Sequence, residues 1–349
     1  MTDNLQIHFL TAYPASCLVR GRDGRPKTMR YGGVTRARVS SAAIKRAVRT
    51  SDLFLEKFKA GGHLGTRTRR VGEMIIERLC EQEHLDKAKV SAAMAPALAG
   101  FGKPDPEKPG NIRQLAFISP EEVEAAAAAV RNAVLNGTEI ERTILLRDTV
   151  RAVDIAMFGR MLADESETVR MTAAADVAHP FTVGKAEVEA DFYVAVDDRG
   201  VEAEEVASGF MGDAFFTSGL FYGYARVDMG QLARNLGDNK ELAADAARAF
   251  IEALGTVSPS ARRAGFGTHS RPAWMMVERG SSAPVSLATA FLRPVTDEDQ
   301  LDKAIRQAVA LAEGFDKAYG TRWQRRTMDV MGGKGSMAGL VELAAPLNG

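Results

Sequence analysis

Residues 5–12 read LQIHFLTA and residues 20–49 read RGRDGRPKTMRYGGVTRARVSSAAIKRAVR, and together they decide the fold. The first stretch is apolar and rich in side chains that favour extended backbone, so it predicts an opening strand from Leu5 to Ala12. Pro14 and the run GRDGRPKTMRYGG break that pattern and predict a long, basic, glycine-rich loop. Ser40 and Ser41 then precede AAIKRAVRTSDLFLEKFK, where Ile44, Val48 and Leu55 follow helical spacing and a serine is placed to cap the helix. A strand, a basic loop and a helix open the chain.

Working outward, the pattern from about Gly61 to Ala178 is mainly helical. Val71, Met74, Ile75 and Leu79 mark one amphipathic stretch, Ser119-Pro120 caps EEVEAAAAAVRNAVL, and a third stretch runs from Ile144 to Met157. The segment GFGKPDPEKPGN, 100–111, is the turn region between them. After His179-Pro180 the chain turns strand-like, in VEADFYVAVDDRG and FFTSGLFYGYARVDM. The helix NKELAADAARAFIEALG follows, then short strands at Trp274 to Val277 and Val285 to Ala290, and a helix from Asp297 to about Tyr319. The order predicts an α+β fold: a split β-α-β core carrying large inserts.

A chain of 349 residues with 46 % apolar side chains can bury a real core, as one elaborated domain or two. Lys plus Arg and Asp plus Glu both number 45, which excludes a uniformly basic DNA-coating protein. Cys17 and Cys80 are too few for a disulfide framework and lack the C-x-x-C spacing of a zinc or redox site, which fits a reducing cytoplasm. With no apolar run near spanning length and no leader in MTDNLQIHFL, the expectation is a soluble cytoplasmic protein without a membrane partner.

The neutral average hides a local imbalance. Arg20, Arg22, Arg25, Lys27, Arg30, Arg36, Arg38, Lys45, Arg46 and Arg49 face a single acid, Asp23, giving +9 between Arg20 and Arg49. Such a cluster repels itself unless an anion sits nearby, and phosphate is its natural partner. Lys45 and Arg49 share a helical face, while Ser40 and Ser41 sit at the helix end that attracts anions. The competing reading is a solvated face or ion pairing with acids elsewhere, and neither reading separates DNA from RNA. A second candidate is the acidic segment 182–215, in which Phe192, Tyr193, Phe210 and Met211 offer apolar surface able to wedge between bases, unless they are ordinary inward-facing strand residues.

Other constellations give no catalytic site. His8, His63, His84, His179 and His269 lack paired spacing for a metal, and MGGKGSM, 331–337, has Gly335 where a phosphate loop needs Ser or Thr. Asp197-Asp198 before Arg199-Gly200 reads as turn chemistry rather than a metal-binding pair, and Ser40 and Ser41 have no base beside them in sequence. No metal, cofactor or catalytic residue is expected.

The residues Ile7, His8, Pro14, Ser16, Cys17, Leu18 and Arg20, the pattern of glycines, arginines and serines over Gly32 to Arg49, FGRM (158–161), AVDD (195–198) and FTSGLFYGYA (216–225) closely resemble the CasC-type backbone subunits of the type I-E CRISPR surveillance complex Cascade, in the RAMP superfamily. The resemblance implies a hand-shaped fold: a ferredoxin-like or RNA-recognition-motif-like palm at 1–60 and 216–349, helical fingers at 61–181 and a β-hairpin thumb at 182–215. It implies copies stacked in a helical filament along the CRISPR RNA, held through phosphates whatever the spacer sequence. Each thumb would flip out a nucleotide so that the guide is presented for pairing with target DNA. The implied partners are crRNA, the target strand through the guide, sister copies, the large and small subunits, the subunit on the 5′ handle and the endonuclease on the 3′ hairpin.

Position by position, the resemblance implies that Arg20, Lys27, Ser40, Lys45 and Arg49 hold guide phosphates, with Ser41 and Arg46 in the same RNA-binding set. Met161 would press on a base from the fingers, and Tyr193 and Met211 would flank the displaced nucleotide. Ala42 stands where relatives can place Gln, and Arg49 replaces a Lys, keeping the charge and changing the geometry. The alternative is a metal-dependent target-RNA ribonuclease: related backbone subunits of other CRISPR types use an aspartate in the loop after the first strand, where Asp23 lies. A lone carboxylate between Arg22 and Arg25 is poorly placed to hold a metal, so no enzymatic activity is expected. A third alternative is an unrelated monomeric RNA chaperone.

Overall fold

The opening strand is longer than residues 5–12: it runs from Asn4 to Ser16, and its first eight residues are all buried. In this computed structural model, which describes residues 3–140, 147–160, 171–196, 208–259, 261–296 and 298–346, the strands are β1 (Asn4–Ser16), β2 (Thr28–Tyr31), β3 (Val34–Ala37), β4 (Thr66–Thr68), β5 (Ala116–Ile118), β6 (Ala175–Val177), β7 (Phe181–Thr182), β8 (Glu189–Val196), β9 (Ser208–Asp228), β10 (Trp274–Gly280) and β11 (Gln324–Asp329). The fold is α+β. The chain forms two units, Met1–Ser51 with Val177–Arg226 and Phe250–Ala344, and Asp52–Asp176 with Val227–Ala249 and Ala345–Gly349.

The first unit is built on a sheet in the order β11-β10-β1-β9, in which β1 pairs antiparallel with β10, and β10 with β11. β9 and β10, joined through the helix Lys240–Thr256, are separated in the sheet by β1, which is the split arrangement expected from sequence. β1 has no solvent-facing side: Asn4, Gln6 and His8 alternate along it, yet they are buried as fully as Leu5 and Ile7. On one side Leu10, Tyr222, Trp274 and Met276 pack with Ala304, Ala308 and Ala312 of the helix Gln300–Tyr319. On the other, the Phe9 ring lies so close to Gly223 that a Cβ there would meet it at 2.1 Å.

Three expectations change in this unit. The predicted loop at 21–33 contains half of the β2–β3 hairpin, which turns at Gly32-Gly33 with φ of +62° and +81°, a turn that glycine pairs favour. Val285 to Ala290 is not a strand, because the N–H groups of Val285 and Leu287 bond to the Gln6 Oε1 and Tyr222 hydroxyl instead of a neighbouring chain. Leu287–Phe291 therefore coils into a 3-10 helix with Ser286 capping Ala288 N–H. β11 escaped the sequence reading because QRRTMD lacks apolar alternation; its pairing to β10 carries an Arg325–Glu278 ion pair at 2.6 Å.

The second unit is helical, with a core that includes Val71, Ile75, Leu79, Val90, Ile112, Ala126 and Val130. Its bounds differ from the predicted insertion at 61–181: it takes in Asp52–Phe58, whose Phe54 and Phe58 rings meet edge to face, and Val227–Ala249, and its main segment stops at Asp176. Ser119 caps the helix Pro120–Asn136, as the sequence predicts, and does so through a reciprocal box with Glu122. The stretch from Ile144 to Met157 yields a helix only at Val153–Phe158, and residues 141–146 lie outside the described residues. Among the described residues, no helix is long and apolar enough to cross a membrane.

Candidate nucleic-acid interface

The basic loop is a structured turn. Arg20 and Pro26 form an isolated bridge, Gly21 N–H bonds to Arg25 O at 2.8 Å, and Lys27 N–H to Val19 O at 3.1 Å. Asp23 folds back onto this turn: its Oδ1 accepts Arg25 N–H at 3.2 Å and lies where a Cβ on Gly21 would meet it at 2.6 Å. The carboxylate thus closes its own loop, as Asp commonly does in turns. Arg25 extends over the Phe215 ring, 4.5 Å from its centroid, and ties the loop to β9.

One member of the basic cluster is spent on structure. Arg36 has no exposed surface, and its guanidinium donates to the carbonyls of Tyr31 at 3.2 Å, Thr182 at 2.9 Å and Phe291 at 2.9 Å. It pins the β2–β3 hairpin to β7 and the 3-10 helix and is closed to an external phosphate.

The helix Ser41–Arg49 is set by Ile44 and Val48, which are buried, while Lys45 and Arg49 fall four residues apart on a face that stays half-exposed and Arg46 is exposed. Ser40 occupies the cap position but its hydroxyl makes no capping bond, unlike the reading from sequence. Ala43 and Ile44 N–H groups bond to Ser40 O, so the amides left for an anion at this end are those of Ser41 and Ala42. The backbone joins loop to helix, since Arg38 N–H bonds to Lys27 O at 2.8 Å two residues before Ser40. The structure therefore brings Arg20, Lys27, Ser40 and Ser41 onto one connected stretch, with Ser41, Lys45 and Arg49 at four-residue intervals along the helix.

Segment 182–215 holds β8 and the start of β9, which pair antiparallel with Tyr193 opposite Gly212 and Val194 opposite Met211. Partners directly across a ladder share a face and successive residues alternate, so Met211, Val194 and Phe192 stand on one face and Tyr193 on the other. Phe192, Val194 and Met211 are 63 %, 44 % and 58 % exposed, so this apolar face is not inward-facing core. Tyr193 lies across its partner strand, where a Cβ on Gly212 would come 2.8 Å from its hydroxyl. The two residues expected to flank one nucleotide therefore occupy opposite faces. Val194 was missed because its place beside Met211 depends on register. Met161, Asp197 and Asp198 lie outside the described residues.

Fold and surface together define a class: an α+β protein with an antiparallel sheet, a basic helix face that reaches solvent and a hairpin with an exposed apolar face. The chain belongs to the CT1975-like protein family, whose profile matches residues 5–341. Among solved structures it is similar to a chain of a "CRISPR RNA-guided surveillance complex, pre-nicking", with 27 % identity, a TM-score of 0.79, and 97 % of this chain and 95 % of that chain covered. It shares its fold with a chain of a "CRISPR RNA-guided surveillance complex" at 24 % identity and a TM-score of 0.60, covering 97 % of this chain and 92 % of that one. A comparison with curated proteins finds no match.

Proposed function

We propose that this chain is a crRNA-binding, non-catalytic backbone subunit of a Cascade-type surveillance complex of type I-E. The observation that carries the reading is the nearly full-length likeness to a chain of an RNA-guided surveillance complex at 27 % identity. In this reading the first unit contains the palm and thumb, the second contains the fingers, and copies stack as a filament with the other complex subunits along the guide. Lys45, Arg49, Arg46, Arg20 and Lys27 neutralise guide phosphates, and Ser40 and Ser41 supply donors where the helix dipole favours an anion. Contacts of this kind position a strand without reading it, so binding tolerates any spacer. The apolar face of Phe192, Val194 and Met211 is the wedge against a displaced nucleotide. No bond is broken, and the turned-in carboxylate of Asp23 supports that reading.

The test is binding of a single-stranded guide RNA across a salt series, followed by sizing of the assembly. The expected outcome is affinity that falls as salt rises, indifference to spacer sequence, and growth of the particle with guide length. Lys45→Glu with Arg49→Glu is expected to weaken binding about a hundredfold, roughly a decade for each lost charged contact. Unchanged binding by that variant would refute the phosphate assignment. Guide-directed cleavage of complementary RNA with Mg²⁺ that disappears in Asp23→Ala would refute the non-catalytic one.

A further inference from the structure

Three basic groups meet just before the helix Ser41–Arg49, and two of them, Arg38 and His179, have no part in the phosphate set above. Ala37 and Val39 are 1 % and 2 % exposed, so Arg38 and Ser40 alternate onto the open side of the extended segment leading into the helix. The Arg38 Nη1 donates to Nδ1 of His179 at 2.9 Å, and its Nε to the carbonyl of Thr28 at 3.3 Å. The segments that carry these groups are tied by backbone bonds, Arg38 N–H to Lys27 O and Val39 N–H to Pro180 O, both at 2.8 Å.

Both acceptors on Arg38 are neutral. A carboxylate would hold the guanidinium and cancel its charge together, whereas an imidazole and a carbonyl fix its direction and leave the charge for something else. Among the described residues no carboxylate forms an ion pair with Arg38. His179 can accept at Nδ1 only as the neutral tautomer with its proton on Nε2. Its surroundings favour the neutral ring: partial burial first, then the charges of Arg38 and Lys27, hold its pKa below the usual 6.5. The residue is nonetheless exposed. Arg36, two residues earlier, shows the contrast, being held by carbonyls alone but without exposed surface.

We infer that Arg38 is a further phosphate-contacting residue of the guide-binding surface, and that His179 is the positioning residue that aims its guanidinium as a neutral acceptor. The inference rests on the proposed RNA-binding function and adds a subsite upstream of the helix, between Lys27 and Ser40.

The test uses the full chain, a single-stranded guide RNA and the slope of log Kobs against log salt. Loss of one phosphate contact on a single strand reduces that slope by about 0.7. Arg38→Gln is expected to lose that increment and to bind about tenfold more weakly at low salt, while Arg38→Lys keeps the slope because it keeps the charge. His179→Asp, which gives Arg38 a charged acceptor, is expected to lose the same increment. His179→Asn, which offers a neutral oxygen near the Nδ1 position, is expected to retain it, and that rescue separates positioning from a merely structural role. An Arg38→Gln variant with unchanged slope and affinity, beside a Lys45→Glu, Arg49→Glu variant that binds about a hundredfold more weakly, overturns the subsite and leaves the RNA-binding reading standing. Equal slope loss in His179→Asn and His179→Asp overturns the role given to the imidazole. A wild-type chain that ignores RNA at low salt overturns both readings.

Discussion

Met211 stands directly opposite Val194 across the β8–β9 hairpin, while Tyr193 sits one residue along, opposite Gly212 on the reverse face. With Phe192 they divide the hairpin into an exposed aliphatic-aromatic face and a face on which one tyrosine lies flat. Met211→Ala and Val194→Ala are therefore expected to leave unfolding stability within about 0.5 kcal/mol of wild type, as exposed sites do. In chemical probing of bound guide RNA both variants should relax the same nucleotides, with the double variant close to either single one. Tyr193→Ala, acting on the other face, should change a different set or none; an identical footprint for Tyr193→Ala and Met211→Ala would contradict the division.

Arg36 predicts the opposite balance of stability and binding. Its replacement by Met leaves the carbonyls of Thr182, Phe291 and Tyr31 without their donor, at a cost on the order of 1–3 kcal/mol for each that stays dry. Urea unfolding is expected to show a loss of about 3 kcal/mol in total, after some relaxation of the site. Arg36→Lys should not restore it, because one ammonium on a flexible stem does not reproduce the fork that reaches three separate carbonyls. Arg46→Met, at an exposed position of the same basic run, should leave stability essentially unchanged and lower RNA affinity.

A buried polar chain crosses the sheet and predicts how stability depends on pH. Tyr222 accepts Leu287 N–H at 2.9 Å and donates its hydroxyl proton to His8 Nδ1 at 2.9 Å, leaving His8 Nε2–H to reach Glu278 at 3.2 Å. Burial, opposed by Glu278, lowers the His8 pKa from 6.5, so the folded chain resists a proton that the unfolded chain accepts. The unfolded state then binds more protons just below pH 6.5, and stability falls as pH drops through that value. Glu278 adds to the trend at lower pH: burial pushes its pKa up, but His8 and Arg325 together hold it below 4.5, so its share is lost as pH falls below that value. The melting temperature is expected to decline from pH 7 to pH 4, with a shallower decline between 7 and 5 in His8→Gln. A flat profile for wild type in that range would remove the buried neutral histidine from the account.

The basic helix face was legible in the sequence because its signal is local: a serine pair, apolar residues at helical spacing and two cations four residues apart fall within one short segment. β1 and the long β9 were legible for the same reason, each being apolar enough to be seen alone. What failed depended on partners distant in sequence. Arg36 and Arg38 are both arginines in one basic run, yet one is sealed by carbonyls from Thr182 and Phe291 and the other stays open beside His179. β11 carries two arginines where a strand usually shows apolar alternation, and Arg325 is accommodated by Glu278 on β10 and by Asp316. The faces of Tyr193 and Met211 follow from the register with which β8 meets β9, which neither strand's composition specifies.

In the second unit, Glu122 joins two jobs that the sequence presents as one. As a capping-box residue it accepts Ser119 N–H at 2.9 Å, and it also pairs with Arg160 at 2.6 Å, both side chains having almost no exposed surface. It further accepts Arg147 N–H at 3.0 Å, so one carboxylate satisfies three segments of chain. Glu122→Ala strips a buried guanidinium of its counter-charge and is expected to cost about 3–5 kcal/mol, well above the ~1 kcal/mol typical of a lost helix cap. The double variant Glu122→Ala, Arg160→Met removes the stranded charge and should regain much of that loss, since a buried pair gives little net stability over apolar replacements. Ser119→Ala removes the cap and leaves the ion pair, and should show the smaller figure alone. Measured by denaturant unfolding, equal losses in Ser119→Ala and Glu122→Ala would mean that the cap, rather than the buried charge pair, fixes the start of this helix.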